Sequence, residues 1–283
     1  MRKQTKKMTV GLVTFSNEVT VVGDGVNDPE FIAGDKLNNM EQLKEIGSKH
    51  KLDKTIKESL KPLTEKLWSL VEKGQTALGP ALVVSIALAA QKSGSQVILC
   101  TDGLANIGLG NLDVTREEDV ETAEQWYAQV AHWALEKGVV VNVISITDSQ
   151  CKLENLGKLC DITQGAVERI NPIQLASNFK GILEKKVLAT KVQATMLLHP
   201  VLRFKKDDEE ENRLVLGEQQ KAEKEKSTLT TISEEQSEKP TSEKSTPNEE
   251  KSSQIEITKQ IQDVGNVFQD SRIYFEYVIP KSF

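Results

Sequence analysis

Apolar positions near the start of the chain come in short runs rather than helical turns. Met8 to Phe15 (MTVGLVTF) is a brief apolar segment with β-branched residues, Ser16 and Asn17 form a turn pair, and Glu18 to Val22 follows, a hairpin pattern closed by Gly23-Asp24-Gly25. From about Leu52 to Glu72 the rhythm changes: Ile56, Leu60, Leu63, Leu67 and Leu70 recur at spacings of three and four, which predicts a helix lying on a sheet. The stretch Gly74 to Pro80 breaks it. Pro80 suits a first helical position, where its missing N–H costs nothing, and Ala81 to Gln91 reads as a buried helix.

Gln96 to Cys100 (QVILC) is apolar without alternation, the pattern of a strand covered on both faces, and it ends in Thr101-Asp102-Gly103. A helix from Glu117 to Glu136 and a second doubly covered strand from Val139 to Ile146 come next. Leu153 to Leu159, Gly165 to Ile170 and Ile173 to Lys185 then read as helix, strand and helix. Strands alternating with helices predict an α/β fold with a doubly wound, mainly parallel sheet over residues 8–186. After Leu188 the pattern turns to β, with Thr190 to Leu198 and Ile273 to Ile279 as segments of a small β appendage formed by residues 187–206 and 255–283.

Charge locates the piece between them. The chain has 283 residues, 38% hydrophobic and 28% charged, with a net charge of -6. Between Asp207 and Ser253 there are 14 Asp or Glu against 7 Lys or Arg, which accounts for the whole negative excess. No aromatic residue occurs between Phe204 and Phe268. Residues 207–254 therefore read as a disordered acidic insert, unable to bury enough apolar surface to offset its ordering entropy. A sharper alternative for it is a phosphorylatable segment such as Thr241-Ser242-Glu243. The remaining, near-neutral part offers no basic field for nucleic acid or anionic lipid.

Cys100, Cys151 and Cys160 form neither an even disulfide set nor zinc knuckles, which fits a reduced, cytoplasmic protein. The start MRKQTKKM has no apolar leader segment, and no run approaches the ~20 apolar residues a membrane span needs, so membrane insertion is not expected.

Three segments in order, VGLVTFSNEVTVVGDG, GQTALGPALVVSIALAA and VILCTDGLANIGLG, resemble the second and third strands, threonine loop and fourth strand of a von Willebrand factor A domain. More narrowly, TDGLANIGLG with VNVISI and GAVERINP resembles the A-type domain of circularly permutated Ras-like proteins, which are similar to the trunk of COPII coat subunits. LATKVQATMLLHPVLRF resembles the start of the β-sandwich that accompanies that trunk. In that family a divalent cation sits above the carboxyl ends of the strands, held by an Asp-x-Ser-x-Ser loop, a threonine and an aspartate. Thr76 and Asp102 match the last two, so the resemblance implies a Mg²⁺ or Mn²⁺ role for them, with Gly103 and Asn106 shaping the loop beneath Asp102.

Hard oxygen donors such as these suit magnesium, whose remaining positions would go to water or to a partner's carboxylate. The Asp-x-Ser-x-Ser motif is absent from the chain, so the resemblance implies an incomplete site, metal bound weakly or not at all, and a domain lacking its first strand. The family strand order makes that strand central. Its absence predicts that the hairpin is separated from the strands at Gln96, Val139 and Gly165, with unpaired backbone along Val10 to Val13 and Val97 to Leu99.

Catalytic patterns are lacking. His50, His132 and His199 have no second ligand at helical spacing, and there is neither H-E-x-x-H nor G-x-S-x-G, so each reads as a surface or core histidine. Gly108-x-Gly110 lacks the third glycine of a dinucleotide fingerprint, and no phosphate-binding loop of a GTPase is present. Trp126, Tyr127 and Trp133 fall at helical spacing and read as packing.

The expectation is a non-enzymatic protein-binding module, with a partner's acidic side chain completing the metal shell. The alternatives are a metal-independent scaffold of the COPII-trunk type in vesicle trafficking, or a regulatory domain for a Ras-like GTPase not in this chain.

Overall fold

The hairpin expected at the start forms. Leu12–Phe15 (β1) and Val19–Gly23 (β2) pair antiparallel, with Val13 opposite Val21 and Phe15 opposite Val19. A third strand, Glu30–Ile32 (β3), pairs with the other edge of β2 and was not anticipated, since only Phe31 and Ile32 stand out from a polar stretch. The computed structural model describes residues 8–71, 74–101, 104–146, 153–170, 173, 175–199, 201–205 and 258–279. Expectations that concern Asp102, Gly103, Cys151 and the insert at 207–254 lie outside the described residues.

Two helices precede the parallel strands. Met40–Lys49 (α1) is capped by Asn39, whose Oδ1 accepts from the Gln42 N–H at 3.1 Å, and it buries Leu43 and Gly47. Its sparse apolar content hid it in the sequence. Ile56–Trp68 (α2) starts at Thr55, whose N–H and hydroxyl both donate to the Glu58 carboxylate at 2.9 and 2.6 Å. This helix is shorter than the expected 52–72 span and its leucine stripe does not lie on a sheet. Only Ser59 and Leu63 are buried, while Leu60 and Leu67 are exposed. The inward direction is set by Ser59 and Leu63, roughly 60° around the helix from the Ile56–Leu60–Leu67 line at ~100° per residue.

Leu78–Ala89 (α3) is buried at 10 of its 12 positions, as its unbroken apolar sequence requires. It begins three residues earlier than the sequence suggests, with Pro80 in the first turn, where no intrahelical N–H bond is lost. Gln96–Thr101 (β4), Val140–Ile146 (β5) and Val167–Ile170 (β6) form a parallel sheet in the order β4-β5-β6, with Leu99 opposite Val143 and Val143 opposite Val167. Glu117–Glu136 (α4), Leu153–Thr163 (α5) and Leu175–Glu184 (α6) are the crossover and flanking helices.

Leu99, Val141 and Val143 share one core with α3, Tyr127 and Val130 of α4, and Leu156 and Leu159 of α5. Ile98, Ile144 and Ile170 share a second core with Phe179 and Ile182 of α6 on the opposite face. The sheet is thus covered on both sides, the α/β arrangement the alternation of elements predicts. No ladder joins β1-β2-β3 to β4-β5-β6. The expected separation of the hairpin from the parallel strands is therefore what the structure shows.

The chain has two compact units, residues 1–193 with 263–272, and residues 194–262 with 273–283. Ala189–Leu198 (β7) and Thr258–Val267 (β9) pair with each other. In the second unit Arg203–Phe204 (β8) pairs antiparallel with Tyr277–Val278 (β10), beside an ion pair between Lys205 and Glu276 at 2.9 Å. The expected strand from Ile273 to Ile279 is confined to those two residues, because Ile273 and Tyr274 have no strand partner and stay exposed.

Helices α1 and α3 meet at Gly47, where a Cβ would fall 2.5 Å from the Val84 carbonyl oxygen and 2.7 Å from the Ala87 Cβ. We expect Gly47→Ala to destabilise the fold by about 1–3 kcal/mol through overpacking, read as a lowered urea midpoint at unchanged slope. An unchanged midpoint would mean that the two helices are not in close contact.

Candidate functional site at the carboxyl edge of the sheets

The loop that enters α3 is built around Thr76 and Ala77. Thr76, half-buried, donates its backbone N–H to Asn106 Oδ1 at 2.8 Å and accepts at its carbonyl from the Asn106 N–H at 3.1 Å. Next to it, the Ala77 N–H donates to the Ser16 carbonyl at 2.7 Å. Two consecutive residues thus clasp the loop after β4 with their first member and the end of β1 with their second. Asn106, expected to shape the loop beneath Asp102, holds Thr76, and Asp102 and Gly103 themselves lie outside the described residues.

The loop from Leu104 to Leu112 is held tightly from below. Leu112 and Asp113 N–H groups both donate to the Ala105 carbonyl, at 2.8 and 3.2 Å, and Leu109 N–H donates to the Leu37 carbonyl at 3.1 Å. Gly79 in α3 approaches so closely that a Cβ there would lie 1.9 Å from Leu109 O. Gly108 and Gly110 take φ values of +77° and +69°, and their space is filled by Pro80 and by the Trp126 ring. The two glycines that imitate part of a nucleotide fingerprint therefore serve helix and loop packing.

Aromatic residues of α4 finish this packing. Tyr127 is fully buried, donates its hydroxyl to the Gly110 carbonyl at 2.9 Å and meets Trp126 edge to face at 4.9 Å. Trp133 is partly buried, with Lys44 Nζ 5.0 Å above its ring. All three are core or rim residues, as their spacing predicts.

Sequence reasoning missed two groups at this edge. Ser145 lies at the end of β5, opposite Thr101 of β4, on the face shared with α3 and α4. Both are buried, and Ser145 Oγ has no hydrogen-bond partner. Ser16, the first turn residue after β1, is the second. The available signal was position alone: each is a hydroxyl at the carboxyl end of a strand, where open α/β sheets bind ligands.

Two of the histidines are exposed and His50 is half-buried. His50 Nε2 lies 2.8 Å from Glu30 Oε2, His132 is exposed, and His199, exposed, accepts from the Val201 N–H at 3.3 Å. Cys100 and Cys160 are unpaired thiols. Burial pushes the Cys100 thiol up to about 11, and burial followed by the nearby Asp161 carboxylate pushes Cys160 up to about 12. Both stay protonated at neutral pH and are poor nucleophiles there.

A matching family model, described as the Sec23/Sec24 trunk domain, covers residues 3–190. Circularly permutated Ras protein 1 of Dictyostelium discoideum is 38% identical over 203 residues, which is 70% of this chain and 24% of that protein. Among solved structures, the human COPII-coat protein Sec24c is similar at a TM-score of 0.47 with 13% identity, over 70% of this chain and 29% of Sec24c. A conserved hypothetical protein, BatB of Bacteroides thetaiotaomicron, is similar at a TM-score of 0.34 with 14% identity, over 62% of this chain and 78% of that one. The chain spans about a quarter of the length of the curated relative it matches.

Two outcomes follow from this geometry. Asn106→Ala removes the acceptor of the Thr76 N–H and should cost about 1–3 kcal/mol, while Asn106→Asp, which keeps an acceptor, should cost less. Chemical denaturation of both variants checks this, and equal losses would rule out the clasp as the cause. The thiols ionise more readily in the unfolded chain than in the fold, because their folded values lie above the ordinary value of 9.0. Their contribution to stability is therefore full below about pH 9 and is lost as the pH rises toward 11 to 12. Cys100→Ser and Cys160→Ser should flatten the fall of thermal stability between pH 9 and 11; an unchanged slope would dissociate it from these thiols.

Proposed function

The chain belongs to the Sec23/Sec24 trunk domain family, and from that premise we propose that it is a non-enzymatic, cytoplasmic protein-binding scaffold of the vesicle-coat trunk type. Its first unit is, on this reading, a von Willebrand factor A-type domain that binds through its surfaces. The observation that carries the proposal is the family match over residues 3–190. The exposed apolar line on α2 supports it: Leu60, Leu67 and Trp68 are 65%, 55% and 86% exposed, and Leu70 and Val71 extend the patch beyond the helix. No described helix is long and apolar enough to cross a membrane.

Metal takes a minor part in this reading. Among the described residues no group of three His, Cys, Asp or Glu could hold a metal ion. Thr76 is positioned by its backbone bonds to Asn106, so with Asp102 it supplies at most two of about six oxygen ligands. The described residues do not make up a magnesium site by themselves. We infer that Mg²⁺ or Mn²⁺ binds here weakly at most, and that an acidic partner side chain at this edge is a lesser route of recognition than the apolar surface.

A second reading is favoured by one finding: the relative with 38% identity is named for Ras and is about four times longer than the matched segment. On that reading the chain regulates a GTPase domain it does not itself contain.

The test pairs capture with calorimetry. Immobilised chain should retain the same proteins from a cell extract with and without EDTA, and a Leu67→Glu, Trp68→Glu double variant should lose them while its urea midpoint stays within about 0.5 kcal/mol, since both positions are exposed. Titration of Mg²⁺ and Mn²⁺ should give no saturable heat at submillimolar concentration, the same as Asp102→Ala. EDTA-sensitive capture with saturable heat abolished by Asp102→Ala would replace the scaffold reading with the metal-dependent one.

A further inference from the structure

Helix α2 carries its apolar residues at heptad spacing. Ile56, Leu60, Leu63 and Leu67 follow one another at intervals of four, three and four, and at ~100° per residue they fall within roughly 60° of one another. The fold uses only the inner margin of this stripe. Leu63 is buried with Ser59 beside it, against the turn at Gly25, where an added Cβ would come within 3.1 Å of Leu63 Cδ2. Ile56, Leu60 and Leu67 stay 40%, 65% and 55% exposed.

The outer margin of the stripe is basic. Lys57 and Lys61 stand roughly 100° around the helix from the leucine line, and Trp68, 86% exposed, lies between them. Both lysines are exposed and neither makes an ion pair among the described residues. Of the acids of α2, Glu58 is engaged by the Thr55 N–H and hydroxyl at the start of the helix. Glu65 lies roughly 160° around from the leucines, so neither acid borders the stripe.

These features select an occupant. A helix bonds its own N–H and C=O groups internally, so an extended chain laid along α2 would find no main-chain partner there, whereas a second helix arrives with its backbone already bonded. Leu60 and Leu67, one heptad apart, offer such a helix two knobs to pack between. The unpaired Lys57 and Lys61 then favour carboxylates along its flank, as charged flanking positions do between paired helices. A lipid surface is the poorer match, because two lysines fall short of the roughly four to eight that recognition of anionic lipid uses.

We propose that the outer side of α2 receives an amphipathic helix of a partner protein, its apolar stripe along Ile56, Leu60 and Leu67 and its flank carrying carboxylates opposite Lys57 and Lys61. The apolar contact supplies affinity and the lysines supply selection and orientation. The proposal rests on the reading of α2 as a protein-binding surface and adds the chemistry of what that surface binds.

The probe is a two-heptad synthetic peptide, stapled to hold its helix, with leucine at the a and d positions and glutamate at e and g; its control carries lysine at e and g. Fluorescence anisotropy with the full chain should show the glutamate peptide binding at least tenfold more tightly than the control at low salt, the ratio shrinking in about 0.5 M NaCl. Lys57→Glu with Lys61→Glu should reverse that order. Leu60→Glu with Leu67→Glu should lose both peptides at an unchanged urea midpoint, since all four positions are exposed. Equal binding of the two peptides, an order that the lysine variant leaves unchanged, or no binding of either would overturn the proposal. So would adsorption of the chain to vesicles of phosphatidylserine and phosphatidylcholine that the glutamate peptide cannot displace, which would assign the surface to a bilayer. Extract capture that depends on Leu67 and Trp68 while neither peptide binds would leave the scaffold reading standing and this proposal fallen, whereas capture that survives the Leu67→Glu, Trp68→Glu change would sink both.

Discussion

Helix α3 is the element on which the first unit depends, because among the described residues it packs on strands of both three-stranded sheets, a link the hydrogen-bonding pattern does not duplicate. The two three-stranded sheets share no ladder, so nothing in the β structure aligns them. α3 contacts β1, β2 and β4 and buries 10 of its 12 residues, with α1 packed on its outer side through Gly47. A helix without a polar face has no stable place on a surface, so its sequence compels coverage from all sides. At ~1.5–3 kcal/mol for each large apolar side chain removed from water, Leu78, Leu82, Val83, Val84 and Ile86 together supply a driving force that hydrogen bonds between the sheets would otherwise share.

The parts that were legible in the sequence are those where one physical demand decides the pattern. β4 and β5 were readable because strands covered on both faces cannot carry charge, and α4 because its polar and apolar positions keep the helical period over all 20 residues. The separation of the two sheets was legible once the resemblance supplied a strand order. α1 and β3 were not, because each buries very little of its own: Leu43 with Gly47, and Ile32. In α2 the leucine period was real, but it marks an exposed line, since periodicity reports an apolar face and not what covers it.

At the carboxyl edge the sequence pointed to Thr76 for its side-chain oxygen and to Asn106 for the shape of the loop, and the structure adds a link between the two through the Thr76 backbone. Residues 104–112 could not be read as a packed element, because its contacts rest on Gly79, Gly108 and Gly110 making room for Leu109, Pro80 and Trp126. Such close approach leaves no trace in a hydrophobic pattern. It makes this loop a stiff rim around the end of α3, unlike the phosphate cradle that two nearby glycines can imitate.

The open edges raise a question of energy that the rest of the fold answers. An N–H or C=O sealed from water without a partner costs about 1–3 kcal/mol, and the outward groups of Val13, Phe15, Gln96, Ile98 and Cys100 would together exceed the stability of an ordinary domain if they were sealed. They are half-buried, so water can reach them, and the penalty falls instead on the apolar side chains that stay wet, such as Val97 and Ile98. Water satisfies the polar groups but leaves that apolar area exposed.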